Sequence, residues 1–147
     1  MMEKPASHDD ANLILRLYEL RREDRLRKAR EWFVGSFKGV STADQFAQLC
    51  PPGSPENAYF RMVVTYWDMA ASFVNAGILN PDLFFRNSGE MMYVWERLSD
   101  VAPALRAQRR NPTMWGDLED AAKAMIEWSK GRAPEAYEAF KQMVRGA

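Results

Sequence analysis

The sequence predicts an all-α fold, a compact irregular bundle of about eight helices around one hydrophobic helix spanning about residues 55–76. Three observations predict it. Proline recurs where a helix would open, at Ser54-Pro55-Glu56, Asn80-Pro81-Asp82, Asn111-Pro112 and Ala133-Pro134-Glu135, and in three of these an acid follows near the positive end of the peptide dipoles. Glycine recurs where a helix would close, at Gly77 and Gly131. No segment carries the two-residue alternation of a half-buried strand, and no internal repeat is present.

Each element follows from its own pattern. Leu13, Ile14, Leu17 and Leu20 share a helical face, but Leu26, Ala29, Trp32 and Phe33 fall on roughly the opposite side. That reads as two helices, about 9–22 and 24–36, broken near Arg22-Glu23-Asp24; one helix that changes packing partner is the alternative. Ser41 to Leu49 reads as a short third helix with Ser41 and Asp44 in a capping-box-like arrangement, stopped by Cys50-Pro51-Pro52-Gly53. From Pro55 to Ala76, apolar residues including Phe60, Val63, Val64, Trp67, Ala70 and Val74 cover most of the circumference, as in a central helix.

Pro81 to Arg86 suits a brief helix, and Glu90 to Leu98 another, with Met91, Val94, Trp95 and Leu98 at i, i+3, i+4 and i+7. Asp100 to Arg110 follows, with Pro103 in its first turn and Leu105 as its apolar anchor. Thr113 to Lys130 places Met114, Leu118, Ala121, Ala122, Met125 and Ile126 on one face, and Pro134 to Arg145 presents Tyr137, Phe140 and Val144. A polar tail is expected over residues 1–8 and a single helical domain over 9–146.

Composition narrows the chemistry. Twenty Lys and Arg balance twenty Asp and Glu, so no global field draws the 147-residue chain to nucleic acid or an anionic membrane. One His and one Cys exclude zinc fingers, HExxH metalloproteases, His-rich di-iron sites and an intramolecular disulfide. The N-terminus lacks the basic start and apolar run of an export signal, and no stretch reaches the roughly 18 uncharged apolar residues of a membrane span. With a lone thiol, the expected compartment is the cytoplasm. Glycine-rich phosphate loops, GxSxG elbows and Asp-rich calcium loops are all missing, so no catalytic, cofactor-binding or metal-binding residue is nominated.

Several constellations remain as candidate binding residues. Asn57, Arg61, Thr65, Asp68, Ser72 and Asn75 form a polar strip on the central helix. Lining a cleft, Arg61 and Asp68 would anchor a charged ligand or a partner's backbone, with Trp67 or Trp95 beside them; otherwise the strip is the helix's window on water. Residues 16–30 hold seven basic residues, Arg25 and Arg27 among them, against three acids. With Arg106, Arg109 and Arg110 they suit phosphate, although no aromatic is interleaved as in a stacking platform; a solvated face is the plainer reading. Glu90 and Glu96, six apart on a helix, diverge and make a poor acid/base pair.

One longer pattern resembles a known family. It comprises Trp67 through Asn75, then Ala76-Gly77-Ile78-Leu79-Asn80-Pro81-Asp82-Leu83-Phe84, followed by Gly89, Trp95 and Arg109, with Arg27-Lys28-Ala29-Arg30-Glu31 upstream. This resembles an uncharacterised bacterial family of all-helical domains of unknown function, over roughly residues 12–130. Its motifs are structural punctuation and aromatic anchors, so the resemblance implies a fold and no activity. Some relatives carry an N-terminal membrane helix, which this sequence does not show, so no membrane partner is expected.

The expected function is a non-catalytic helical protein-interaction or regulatory module, with a protein partner or self-association. The alternatives are a nucleic-acid-binding domain using the basic 16–30 face, and a small-molecule binder or enzyme with a pocket between helices.

Overall fold

A computed structural model of the chain describes residues 5–146. Nine helices and no strand are present among them: α1 His8–Arg21, α2 Asp24–Ser36, α3 Ala43–Leu49, α4 Pro55–Asn75, α5 Pro81–Arg86, α6 Gly89–Leu98, α7 Ala102–Gln108, α8 Gly116–Arg132 and α9 Pro134–Gly146. Of the expected polar tail, residues 1–4 lie outside the described residues. His8 already opens α1 and Ser7 caps it, because the Ser7 hydroxyl accepts the Asp10 N–H at 3.2 Å while the Asp10 carboxylate accepts the Ser7 N–H at 2.9 Å.

The break between α1 and α2 falls where the apolar stripe changes side. Its local cause is Glu23, whose carboxylate accepts the Leu26 N–H at 3.1 Å and so opens a new helix. α4 is the central element and packs against α2, α8 and α6. Val64, Trp67, Ala70 and Ala71 on it are wholly buried, within one continuous apolar core that also takes in Phe33, Phe37, Phe84, Met91, Leu98 and Leu118. α4 ends as Gly77 suggests. Gly77 takes φ +78°, and the Ile78 N–H returns to the Phe73 carbonyl at 2.9 Å.

Four expectations need correction. The capping box of α3 is made by Thr42 and Gln45 rather than Ser41 and Asp44, since the longer Gln45 side chain reaches the N–H groups of both Ser41, at 2.8 Å, and Thr42, at 3.2 Å. α7 runs Ala102–Gln108, shorter than 100–110. Asn111-Pro112 opens a turn instead of a helix, with the Asn111 side chain accepting the Thr113 N–H at 3.2 Å, and α8 begins only at Gly116. Before it, Trp115 sits at φ +61°, its indole buried edge-on against Phe60 at 5.8 Å. Gly131 does not stop α8, which continues to Arg132. The stop comes from Pro134, which forces Ala133 to an extended φ of −158°.

Two buried charges fasten the last helix. Glu96 of α6 accepts the Tyr137 hydroxyl at 2.7 Å and Arg145 Nε at 2.9 Å, both from α9. Arg97 points the other way and donates to the carbonyls of Val34 and Phe37 at the end of α2, and of Val144 in α9. A guanidinium whose donors end on free helical carbonyls satisfies acceptors that no backbone N–H can reach.

Candidate functional site

Most side chains equipped for chemistry are committed to holding helices together. Glu90, in the first turn of α6, accepts Arg30 Nε of α2 at 2.9 and 3.0 Å and the Trp67 indole N–H of α4 at 3.0 Å. Arg30 also donates to the Arg21 carbonyl at 3.1 Å, which pins the end of α1. Arg21 lies over the Trp67 ring at 5.1 Å and donates to the Tyr66 hydroxyl, which in turn donates to the Leu17 carbonyl. Burial, foremost, pushes the Tyr66 phenol above its ordinary range. The junction thus ties α1, α2, α4 and α6 through one half-buried ion pair and two aromatic rings.

The polar strip of α4 divides along its length. Toward the N-terminus Arg61 and Thr65 are exposed, and Arg61 Nε donates to Asn57 in the preceding turn at 3.0 Å. Toward the C-terminus the strip meets α8. Asp68 accepts the Leu118 N–H at 3.0 Å, serving as an N-cap delivered from another helix, and Asn75 donates to the side chain of Asp117 at 2.9 Å. Burial is the main cause that lifts the Asp68 carboxyl above its ordinary value, with the Leu118 N–H pulling the other way.

The other candidate residues are scattered. Trp67 is wholly buried and Trp95 nearly so, with Arg106 at 6.0 Å from its ring, so neither indole lines an opening. Arg25 is exposed, and Arg27 pairs with Asp24 at 3.0 Å in full view of solvent. Two residues apart on α2, they project from different flanks of the helix. Arg30 is spent on Glu90, and Arg106 turns inward to Glu119 at 2.8 Å. The basic residues therefore do not make one continuous surface. Among the described residues no group of three or more His, Cys, Asp or Glu is placed to hold a metal ion, and no helix is long and apolar enough to cross a membrane.

One open groove is lined mainly by apolar side chains. Between the last turn of α1, the first turn of α2 and the middle of α4 lies a groove of about 490 Å³. Leu20, Leu26, Met62 and Met69 floor it, with Glu23 and Thr65 at its rim. Met62 and Met69, seven apart, share one face of α4, while Leu20 sits at the edge of the buried stripe of α1; Leu20 and Met69 remain 40% and 39% exposed. The backbone N–H groups of Arg25 and Leu26 hold the Glu23 carboxyl below its ordinary value, which keeps a fixed negative charge at the rim. The groove offers unbranched thioethers and apolar carbon to an incoming side chain, with Glu23, Thr65 and Tyr66 as its polar lining. The only advance signal for it in the sequence was the i, i+7 pair of methionines beside Thr65.

No curated protein and no solved structure matches the chain. A family model does, over residues 6–128, a span from the N-cap of α1 into the last turns of α8 that leaves α9 outside. The aromatic anchors, the Gly77 turn and the Glu90 junction all fall within that span, and the chain belongs to the family described as a domain of unknown function, DUF4760.

Proposed function

We propose that the protein is a non-catalytic helical interaction or regulatory module that docks an apolar segment of a protein partner in the α1/α2/α4 groove. The observation that carries this reading is the pair Leu20 and Met69, each about two-fifths exposed over an open groove of about 490 Å³. Trp67, Asp68, Glu90, Glu96 and Arg97, by contrast, are all engaged inside the fold. A groove floored by methionine re-forms around apolar anchors of differing shape, as adaptable docking surfaces do. The reading sets this work in the cytoplasm, where Cys50, a buried free thiol, would stay reduced.

Photo-crosslinking tests it. A benzophenone side chain placed at Thr65, on the rim, is expected to capture a discrete protein from native extract, and the same group at Glu138 of α9 is not. Leu20→Glu with Met69→Glu should abolish capture, with a cooperative thermal transition showing that the double variant still folds. Absence of any adduct specific to Thr65 overturns the reading.

A further inference from the structure

The close of α7 holds a strained residue that the fold itself does not use. Two helices end in the same way. After α4 the Gly77 N–H returns to the Val74 carbonyl and the Ile78 N–H to the Phe73 carbonyl; after α7 the Arg110 N–H returns to the Ala107 carbonyl and the Asn111 N–H to the Arg106 carbonyl. Both turns need a left-handed residue. Gly77 takes φ +78° without a Cβ to crowd the chain, whereas Arg110 takes φ +52° with one. Among the described residues the only other non-glycine with positive φ is Trp115, and its buried ring against Phe60 accounts for it. Arg110 is exposed, and its side chain has no hydrogen bond, ion pair or ring contact among the described residues.

Arg110 lines an open pocket of about 420 Å³ together with Pro103, Arg106, Ala107 and Pro112. No acid is among these residues, and the stretch 101–116 holds three arginines and no Asp or Glu. Arg106 is fixed, with Nε on the Met114 carbonyl and Nη1 on Glu119, each at 2.8 Å, while its Nη2 is buried without an acceptor. Glu119 also takes Lys123, so one carboxylate answers two cations and positive charge is left over. The dipole of α7 favours cations in its last turn, but it gives no reason to force one into a left-handed position.

We propose that this pocket binds the phosphate group of a small molecule, with Arg110 supplying the contacting fork and Arg106 a fixed charge in the wall. Guanidinium forks match phosphate oxygens, and two cations suit a dianion better than a single carboxylate. Pro103, Ala107 and Pro112 offer apolar surface to the rest of the ligand. Nucleic acid fits less well, because its backbone needs a continuous basic track, and Arg27 and Arg30 are paired with Asp24 and Glu90. The pocket shares no residue with the docking groove, and the proposal does not depend on that groove.

Calorimetric titration of the full chain with inorganic phosphate and with phenyl phosphate decides it. One saturable site is expected, with acetate weaker by about tenfold or more. R110G should weaken phosphate binding by about tenfold or more and yet raise the thermal midpoint by about 2–4 °C, since glycine relieves the left-handed position. R25A, which removes an exposed cation of α2, should bind as the wild type does. Tighter binding of phenyl phosphate assigns the site to a phosphorylated molecule, and equal binding assigns it to the free ion; both support a phosphate site. No saturable heat from either phosphate overturns the proposal. So does binding that R110G leaves intact, an equal loss in R25A, or an R110G variant no more stable than the wild type. Capture at Thr65 should persist in R110G, so the two proposals fail separately.

Discussion

Glu90 concentrates three helices on one carboxylate. Arg30 and Trp67 both donate to it, from α2 and α4, and each is at least partly withdrawn from water. Glu90→Ala leaves a guanidinium and an indole N–H without their acceptor, and is expected to cost roughly 1–3 kcal/mol in urea-induced unfolding. Glu90→Gln keeps an acceptor for Trp67 and should cost less. The indole N–H reports the difference directly, since the Trp67 Nε1–H resonance in NMR should shift more in the alanine variant than in the glutamine one. None of this was legible in the sequence. Glu90 and Trp67 stand 23 residues apart, and Arg30 and Glu90 stand 60 apart, so no periodicity could join them. Helical spacing shows only that Glu90 and Glu96 diverge, and they do, one toward α2 and the other toward α9.

At the scale of elements, α8 starts where α4 tells it to. Its own N-cap position is Trp115, which has no side-chain acceptor to offer, and Asp68 supplies the missing oxygen from across the interface. Asp68→Ala should therefore cost about 1 kcal/mol, near the usual price of a lost cap. Asp68→Asn keeps the acceptor and removes a charge that burial disfavours, so at neutral pH it should be close to neutral or mildly stabilising. The sign follows from the raised carboxyl. Folding takes up a proton as pH falls through the window above the ordinary value near 3.8, so this group favours the folded state at the acid end.

Glu119, in the same first turn of α8, behaves oppositely. Lys123 first, and then Arg106, hold its carboxyl below its ordinary value near 4.5. Its contribution is fully present above that value and is lost as pH falls toward the lowered one. Glu119→Gln should accordingly be less stable than wild type at pH 7, with the gap narrowing as pH falls below 4.5 in paired thermal melts. Helix identities were readable from stripes and proline positions, but the ends were set by competition between local acceptors. Gln45 outreaches Asp44, and a buried Trp115 delays α8 past the proline that appeared to open it.

Across the whole molecule, α4 is the centre, and its apolar pattern leaves little alternative. A helix apolar around most of its circumference must be surrounded, and α2, α6 and α8 surround it. The strip at Arg61 and Thr65 is where that enclosure stops, and its neighbour Met69 marks the docking groove. Cys50 gives a probe of the assembled core. It is 1% exposed, and burial first, with Glu56 nearby, pushes its thiol up to about 11. A thiol reagent at pH 8 should label the native protein far more slowly than the urea-unfolded chain, with a rate that rises steeply only as the core opens. Rapid labelling of the native state would mean that the α3 end of the core is loose.

Arg97 joins two regions that lie far apart in the chain, because one guanidinium serves carbonyls at the close of α2 and near the close of α9. Fraying at either place takes a hydrogen-bond acceptor from the same group and loosens its grip on the other. Amide deuterium uptake around residues 34–37 and 142–146 should therefore rise together in Arg97→Met, as a single cooperative unit, while α8 between them keeps its protection.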